Sequence, residues 1–234
     1  MKLLKSKIDN SRKLLVGYNK LIRRSLRLPE RMMVVVGESG TAKTTECVNL
    51  AKANNHIFLT ISANETPHSL MTKLCLESGI APWYRTTQME QALIEHLGSA
   101  RQAIFVDECD LLFRSRRKLG MIESLRIIHD LAVVPIVLIG PPELEFFLAR
   151  YSHLNRRVVE RVRFSGLTLG DAKGLVSDLC EVGIEYGVIR QIHAKYPRIG
   201  DFLNHLQSIE DAAKTQCWEA INASQYDALS PMLV

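Results

Sequence analysis

The sequence predicts an α/β fold, a parallel sheet of five strands flanked by helices, with a small helical lid following it. Three observations carry that prediction. Apolar runs of strand length alternate with segments of helical period over the first two thirds of the chain. The first such run, Met32 to Val36, delivers the chain straight into a glycine turn spanning Gly37 to Thr45. From Thr168 onward the strand signal stops and the pattern is purely helical. The expected organisation is therefore an N-terminal basic helix over 1–30, an α/β core over 31–166, and a helical lid with a tail over 167–234.

Each element has its own reason. From about Asp9 to Leu28, Leu14, Leu15, Tyr18, Leu21, Ile22 and Leu26 recur at helical spacing against a cationic face, and Pro29 ends the segment. After the first strand, Thr44 to Asn54 reads as a helix broken by Asn54-Asn55, and His56 to Ser62 as a second strand. Pro67 sits in the first turn of a helix running to about Ser78, which Gly79 ends. The loop from Pro82 to Thr87 follows; its Trp83 and Tyr84 either stack on a base or pin the loop to the domain. Gln88 to Gly98 is the next helix, and Ala103 to Val106 a third strand.

Beyond it, Arg114 to Lys118 places four cations in five residues, the densest charge in the chain. A helix from about Leu119 to Leu131 leads to the fourth strand, Val133 to Ile139, whose paired part lies after Pro135 because proline cannot donate to the ladder. Gly140-Pro141-Pro142 turns the chain into a short helix. The segment from Arg150 to Phe164 carries five arginines and ends in a fifth short strand, Val162 to Phe164. The lid comprises helices over Thr168 to Val182, Ile184 to Lys195, and Ile199 to about Ala223.

At 234 residues the chain is long enough for one α/β domain and an appendage, and its 47% apolar content is enough to fill a core. A net charge of +5 and a pI near 9.0 suit a polyanionic partner without requiring one. The five cysteines are scattered and nowhere spaced C-x-x-C, which indicates neither a disulfide framework nor a zinc site. They read as reduced thiols of a cytoplasmic protein. No apolar run has the length of a membrane span, and the first residues have no signal-peptide core.

The glycine turn reads Gly37-Glu38-Ser39-Gly40-Thr41-Ala42-Lys43-Thr44-Thr45, close to the phosphate-loop pattern G-x-x-x-x-G-K-[ST]. A buried strand feeds a turn whose backbone N–H groups converge on an anion, and the helix opening at Lys43 adds its positive dipole end. Lys43 would reach the β- and γ-phosphates of ATP, and the Thr44 hydroxyl would take a Mg²⁺ position. Ala42 stands where the pattern has its second glycine. If that position needs a positive φ, the alanine costs on the order of 1 kcal/mol; if it is helical, the methyl need only avoid the phosphates. The third strand ends in Asp107-Glu108. Asp107 can hold Mg²⁺ at the strand's edge, and Glu108 can polarise the water that attacks the γ-phosphate.

This constellation resembles an AAA+ P-loop ATPase over about residues 10 to 222. The strings Val137-Leu138-Ile139-Gly140-Pro141-Pro142-Glu143-Leu144 and Leu154-Asn155-Arg156-Arg157, with the short lid, look most like the transposition regulators MuB, TnsC and TniB; the helicase-loader-like IstB proteins are more distant. The resemblance implies that Arg156 or Arg157 is an arginine finger presented to ATP on a neighbouring subunit, and that Arg198 is a sensor arginine of the lid. The first sensor position, at Gly140 and Pro141, lacks the usual polar side chain and is left unassigned. A finger acts only in an oligomer, so a ring or helical filament is implied.

In that family the assembly winds on double-stranded DNA through phosphate contacts, for which Lys73, Arg85, Thr86, Arg114, Arg116, Arg117 and Lys118 are the candidates here. The resemblance thus implies slow, DNA-stimulated ATP hydrolysis, sequence-tolerant target capture, and a transposase partner. Two rival expectations are a helicase loader of the IstB/DnaC type, and a switch NTPase that binds protein partners without DNA.

Overall fold

The computed structural model describes residues 8–25, 27–114 and 118–229. They fall into two compact units. One comprises residues 13–37 and 43–164 and holds the sheet; the other comprises residues up to 12, the turn 38–42, and the chain from 165 onward.

In the first unit, strands β1 (Met32–Gly37), β2 (Ile57–Thr60), β3 (Ile104–Asp107), β4 (Ile136–Gly140) and β5 (Val158–Phe164) form a five-stranded sheet in the order β2-β3-β4-β1-β5. Every pairing is parallel. β1, β3 and β4 are buried at every residue, as near-continuous apolar strands covered on both faces must be. One face is covered by α1 (Asp9–Arg23) and α2 (Lys43–Ala53), which bring Leu14, Tyr18, Leu21, Cys47 and Ala51 against Met33, Val35 and Phe105. Gly17 lets α1 approach closely, since a Cβ there would lie 2.7 Å from Val162 Cγ2. On the other face α3 (Pro67–Glu77), α4 (Thr86–Ala100) and α5 (Leu119–Ala132) pack Leu74, Leu93, Leu97 and Leu125 onto Val34, Val106 and Leu138. A capping box between Thr66 and Ser69, with Pro67 in the first turn, starts α3.

Several boundaries differ from expectation. α1 stops at Arg23 rather than Leu28, because Arg31 Nη2 donates to the carbonyls of Leu21 and Ile22 and the chain turns away through a Leu28 N–H to Ser25 carbonyl bond. β5 begins at Val158, four residues before the expected Val162, as an edge strand whose charged Glu160 and Arg161 hide its strand pattern. α4 starts at Thr86 and runs to Ala100, ended by Arg101 in the left-handed conformation. Between β4 and β5 lie two short helices, α6 (Glu143–Ala149) and α7 (Ser152–Asn155).

The second unit contains α8 (Leu169–Leu179), α9 (Tyr186–Lys195), α10 (Ile199–Thr215) and α11 (Ala223–Leu229) around Leu175, Ile192, Phe202, Leu206 and Ile209. It is not purely helical. β6 (Gly183–Ile184) pairs in parallel with β7 (Ala220–Ile221), so α8 ends at Leu179 and α10 at Thr215, both short of the expected limits. The first turn of α1 belongs here: Ile8 is buried in this core, Asp9 N–H donates to Asp171 Oδ1, and Asn10 exchanges hydrogen bonds with Ser165.

Candidate nucleotide site

β1 ends at Gly37 and α2 opens at Lys43, so the strand and the helix N-terminus bracket the glycine turn, as an anion site requires. Lys43 Nζ donates to the Gly37 carbonyl at 2.5 Å, which holds its ammonium at the end of β1. Thr44 Oγ1 donates to Asp107 Oδ2 at 2.7 Å, joining the start of α2 to the end of β3 across 63 residues of sequence. Asp107 is only 4% exposed, and its second oxygen accepts the Glu108 N–H at 2.9 Å. That bond accompanies the left-handed backbone of Glu108, φ 54°, which turns the chain out of the strand and leaves the Glu108 side chain exposed.

The Glu108 carboxyl is held above the usual range. Partial desolvation of the carboxyl contributes most, then the charges of Asp107 and Asp110, against the opposing pull of Lys43 and Arg114. Asp110 is a participant that the motif reading missed. It lies in the 3-10 turn Cys109–Leu112 and is 1% exposed; Arg114 donates to its Oδ2 at 2.6 Å, while Oδ1 is buried with no partner among the described residues. Oδ1 faces the end of β4, 3.6 Å from where a Cβ on Gly140 would stand. The signal was present in the spacing: a third carboxylate three residues after Asp107.

Within the other unit, the turn residues Glu38 to Ala42 hold two left-handed positions, Gly40 at φ 79° and Ala42 at φ 65°. Ala42 therefore occupies the strained alternative of the two that the sequence left open. Ala42→Gly is expected to stabilise the protein by about 1 kcal/mol, a shift of roughly 2–4 °C in melting temperature, measured by thermal denaturation. No stabilisation would mean that the turn relaxes around the methyl. Thr41 Oγ1 donates to the Glu38 carbonyl at 2.8 Å and closes the turn. Arg198, the residue before α10, lays its methylenes on Gly40: a Cβ there would stand 3.2 Å from Arg198 Cδ. Ser39 and Thr45 are exposed.

The two adjacent arginines have different surroundings. Arg157 donates through Nε to Asp130 Oδ1 at 2.6 Å, and also to Asp130 Oδ2 and the His153 carbonyl. Arg156 is exposed, and its side chain has no hydrogen bond or ion pair among the described residues. Asp130 belongs to a network on α5 in which Arg126 bridges Glu123 and Asp130, and Glu123 also meets His153 Nε2 at 2.6 Å.

Of the four candidate DNA cations among the described residues, three have partners within the chain. Lys73 pairs with buried Glu65 at 2.5 Å, Arg114 with Asp110, and Lys118 donates to the carbonyls of Ser62 and Ala63. Arg85 is exposed at the start of α4, next to half-buried Thr86. Arg116 and Arg117 lie outside the described residues. Tyr84 is 94% exposed, so it does not pin its loop.

A parallel sheet with a phosphate loop after β1 and paired carboxylates after β3 defines a nucleotide-binding α/β ATPase fold. Residues 27–148, more than half of the chain, match the family model described as AAA domain, and the chain belongs to that family. No curated protein sequence matches it. Among solved structures it is similar to Cdc6p from Pyrobaculum aerophilum at 16% identity and a TM-score of 0.66, covering 99% of this chain and 69% of that one. It is similar to the Aeropyrum pernix ORC1 protein, solved in complex with DNA, at 16% identity and a TM-score of 0.63, covering 97% and 66%. It also resembles the Aeropyrum pernix ORC2 protein in its ADPNP–ADP complexes, at 11% identity and a TM-score of 0.68, covering 93% and 65%. This chain spans about two thirds of the length of those structures, and the likeness is one of fold. Among the described residues no helix is long and apolar enough to cross a membrane.

Proposed function

We propose that this AAA+ protein binds ATP, assembles on double-stranded DNA without reading its sequence, and serves target selection by a transposase. The observation that carries the nucleotide part is the Thr44–Asp107 contact beside Lys43 and Glu108. The task in transposition rests on the likeness of Val137 to Leu144 and of Leu154 to Arg157 to the MuB, TnsC and TniB regulators.

In this reading Lys43 leaves the Gly37 carbonyl for the β- and γ-phosphates, and the backbone N–H groups of the turn cradle them. Thr44 and Asp107 present hard oxygen donors already in contact, a donor set that fits Mg²⁺. A magnesium ion held there would neutralise charge on the β- and γ-phosphates. Glu108 orients and polarises the attacking water, and its raised pKa brings it closer to accepting that water's proton at working pH. Arg198, resting on Gly40, serves as the lid's sensor. Arg156 is the finger, because it alone of the arginine pair carries an uncommitted guanidinium; Arg157 holds the turn that displays it.

The direct test is fluorescence anisotropy on a random-sequence duplex at two salt concentrations, with ATP, ADP or no nucleotide, alongside negative-stain imaging. The expected result is ATP-dependent, salt-sensitive binding in rings or filaments. Because Lys73, Arg114 and Lys118 already have partners within the chain, a protein-partnered switch is the second reading. Nucleotide binding without any DNA binding at low salt would select it and reject the first.

A further inference from the structure

The N-terminal edge of the sheet, where helices end and β1 and β4 begin, carries an unassigned cleft of about 560 Å³. That volume falls within the roughly 300–1,000 Å³ of small-molecule sites. It lies at the opposite end of β1 from Gly37, about 20 Å away by the rise of six strand residues. Ligands of open parallel sheets gather at the other edge, so the nucleotide site does not account for this cleft.

Its walls combine apolar side chains, Leu97, Leu131 and Val134 among them, with three arginines, Arg24, Arg31 and Arg101. Arg31 is 4% exposed and held by the Ile136 N–H to Arg31 carbonyl bond next to β1. A guanidinium stays charged at any working pH, and taking it out of water costs several kcal/mol unless an anion compensates. Among the described residues Arg31 has no carboxylate partner. Its Nη2 reaches the last carbonyls of α1, but its Nε is buried and unpartnered. Arg24 repeats the pattern, with a buried, unpartnered Nε and, among the described residues, only Glu30, at 3.5 Å, as its acid. Burial first, and then repulsion from Arg24, push the Arg31 pKa below its ordinary value. Arg101, exposed at the end of α4, makes no side-chain hydrogen bond among the described residues. Capping of α1 explains one nitrogen of Arg31; it leaves the other guanidinium donors without a role.

We infer that this cleft is a second ligand site, for a small phosphate monoester with an apolar body: the arginines take the phosphate, and the leucine and valine walls take the body. Two or more guanidinium groups converging on one pocket suit a dianion better than a neutral ligand.

The test uses phenyl phosphate as the probe on the Lys43→Ala protein, which removes the phosphate loop's own lysine, with phenol as the neutral control. Methyl NMR follows Leu97, Leu131 and Val134, and calorimetry gives the affinity. The expected result is saturable binding that shifts those methyls, exceeds phenol by at least about tenfold, and weakens by at least about tenfold in Arg24→Gln/Arg101→Gln. Both arginines in that variant are partly or wholly exposed, and its melting curve shows whether the fold is kept. A double variant that melts like its parent yet binds equally well would overturn the inference. So would phenol binding as tightly as phenyl phosphate, or the absence of methyl shifts in the cleft.

Discussion

Glu108→Gln is expected to lower steady-state ATP hydrolysis by about 10²-fold or more while leaving ATP affinity within about threefold. The side chain stands in solvent beside Asp107, which is committed to Thr44 and to the Glu108 N–H, so Glu108 is the free carboxylate of the pair. Glutamine keeps the shape and can still hold a water, but cannot take its proton. Single-turnover hydrolysis and nucleotide titration measure the two quantities separately.

The same substitution has a stability signature of known sign. A carboxyl whose folded pKa is raised favours the fold most below its unfolded pKa, and that contribution is lost as pH rises through the folded value. At pH 7 the ionised Glu108 therefore works against the fold, and Glu108→Gln is expected to be more stable than wild type. Below about pH 4 both side chains are neutral and the difference should vanish. Urea denaturation at the two pH values checks this; equal stability at pH 7 would contradict the raised pKa.

Arg156→Ala and Arg157→Ala are expected to fail in different ways, although the residues are adjacent and identical. Arg156 has no side-chain partner among the described residues, so its loss should leave stability unchanged and reduce hydrolysis in the assembled state by about 10³-fold, the scale of a finger in trans. Arg157 is tied to Asp130, which also takes Arg126. Removing it leaves Asp130 a carboxylate short of one partner and frees the α7–β5 turn, at a cost of about 2 kcal/mol in stability, partly screened by solvent. The loss of Arg157 should therefore appear first in the melting temperature. If instead Arg157→Ala melted like wild type and lost hydrolysis, the two roles would have to be exchanged.

The fold was legible wherever one physical signal dominated. β1, β3 and β4 are unbroken apolar runs because both faces are covered, and Pro135 marked where β4 begins to pair. The start of β5 was hidden because Glu160 falls on the same alternate positions as Val158 and Val162 and Arg161 follows it, which reads as an arginine-rich loop. The early end of α1 depends on Arg31, ten residues beyond Leu21, capping its carbonyls, and no local pattern contains that contact. The β6–β7 pair is two residues long on each side, below any periodicity.

The site divides along the same line. Residue types and spacing single out Lys43, Thr44, Asp107 and Glu108, and the structure brings Thr44 and Asp107 into contact. Spacing could not show that Ala42 is left-handed, nor that a carboxylate 27 residues upstream claims Arg157. The charge of Arg114 and Lys118 was visible, but Asp110 and the Ser62 and Ala63 carbonyls that absorb it were not.

The measurement that tests the account most directly mixes Glu108→Gln with Arg156→Ala protein on duplex DNA with ATP and follows hydrolysis. Each variant alone should be nearly inactive. In a one-to-one mixture about one quarter of the head-to-tail interfaces join an intact Glu108 to a neighbour's intact Arg156, so activity should return to about that fraction of wild type. If the mixture stays as inactive as its components while both variants still bind ATP and assemble, the site is not shared between neighbours and the account is wrong.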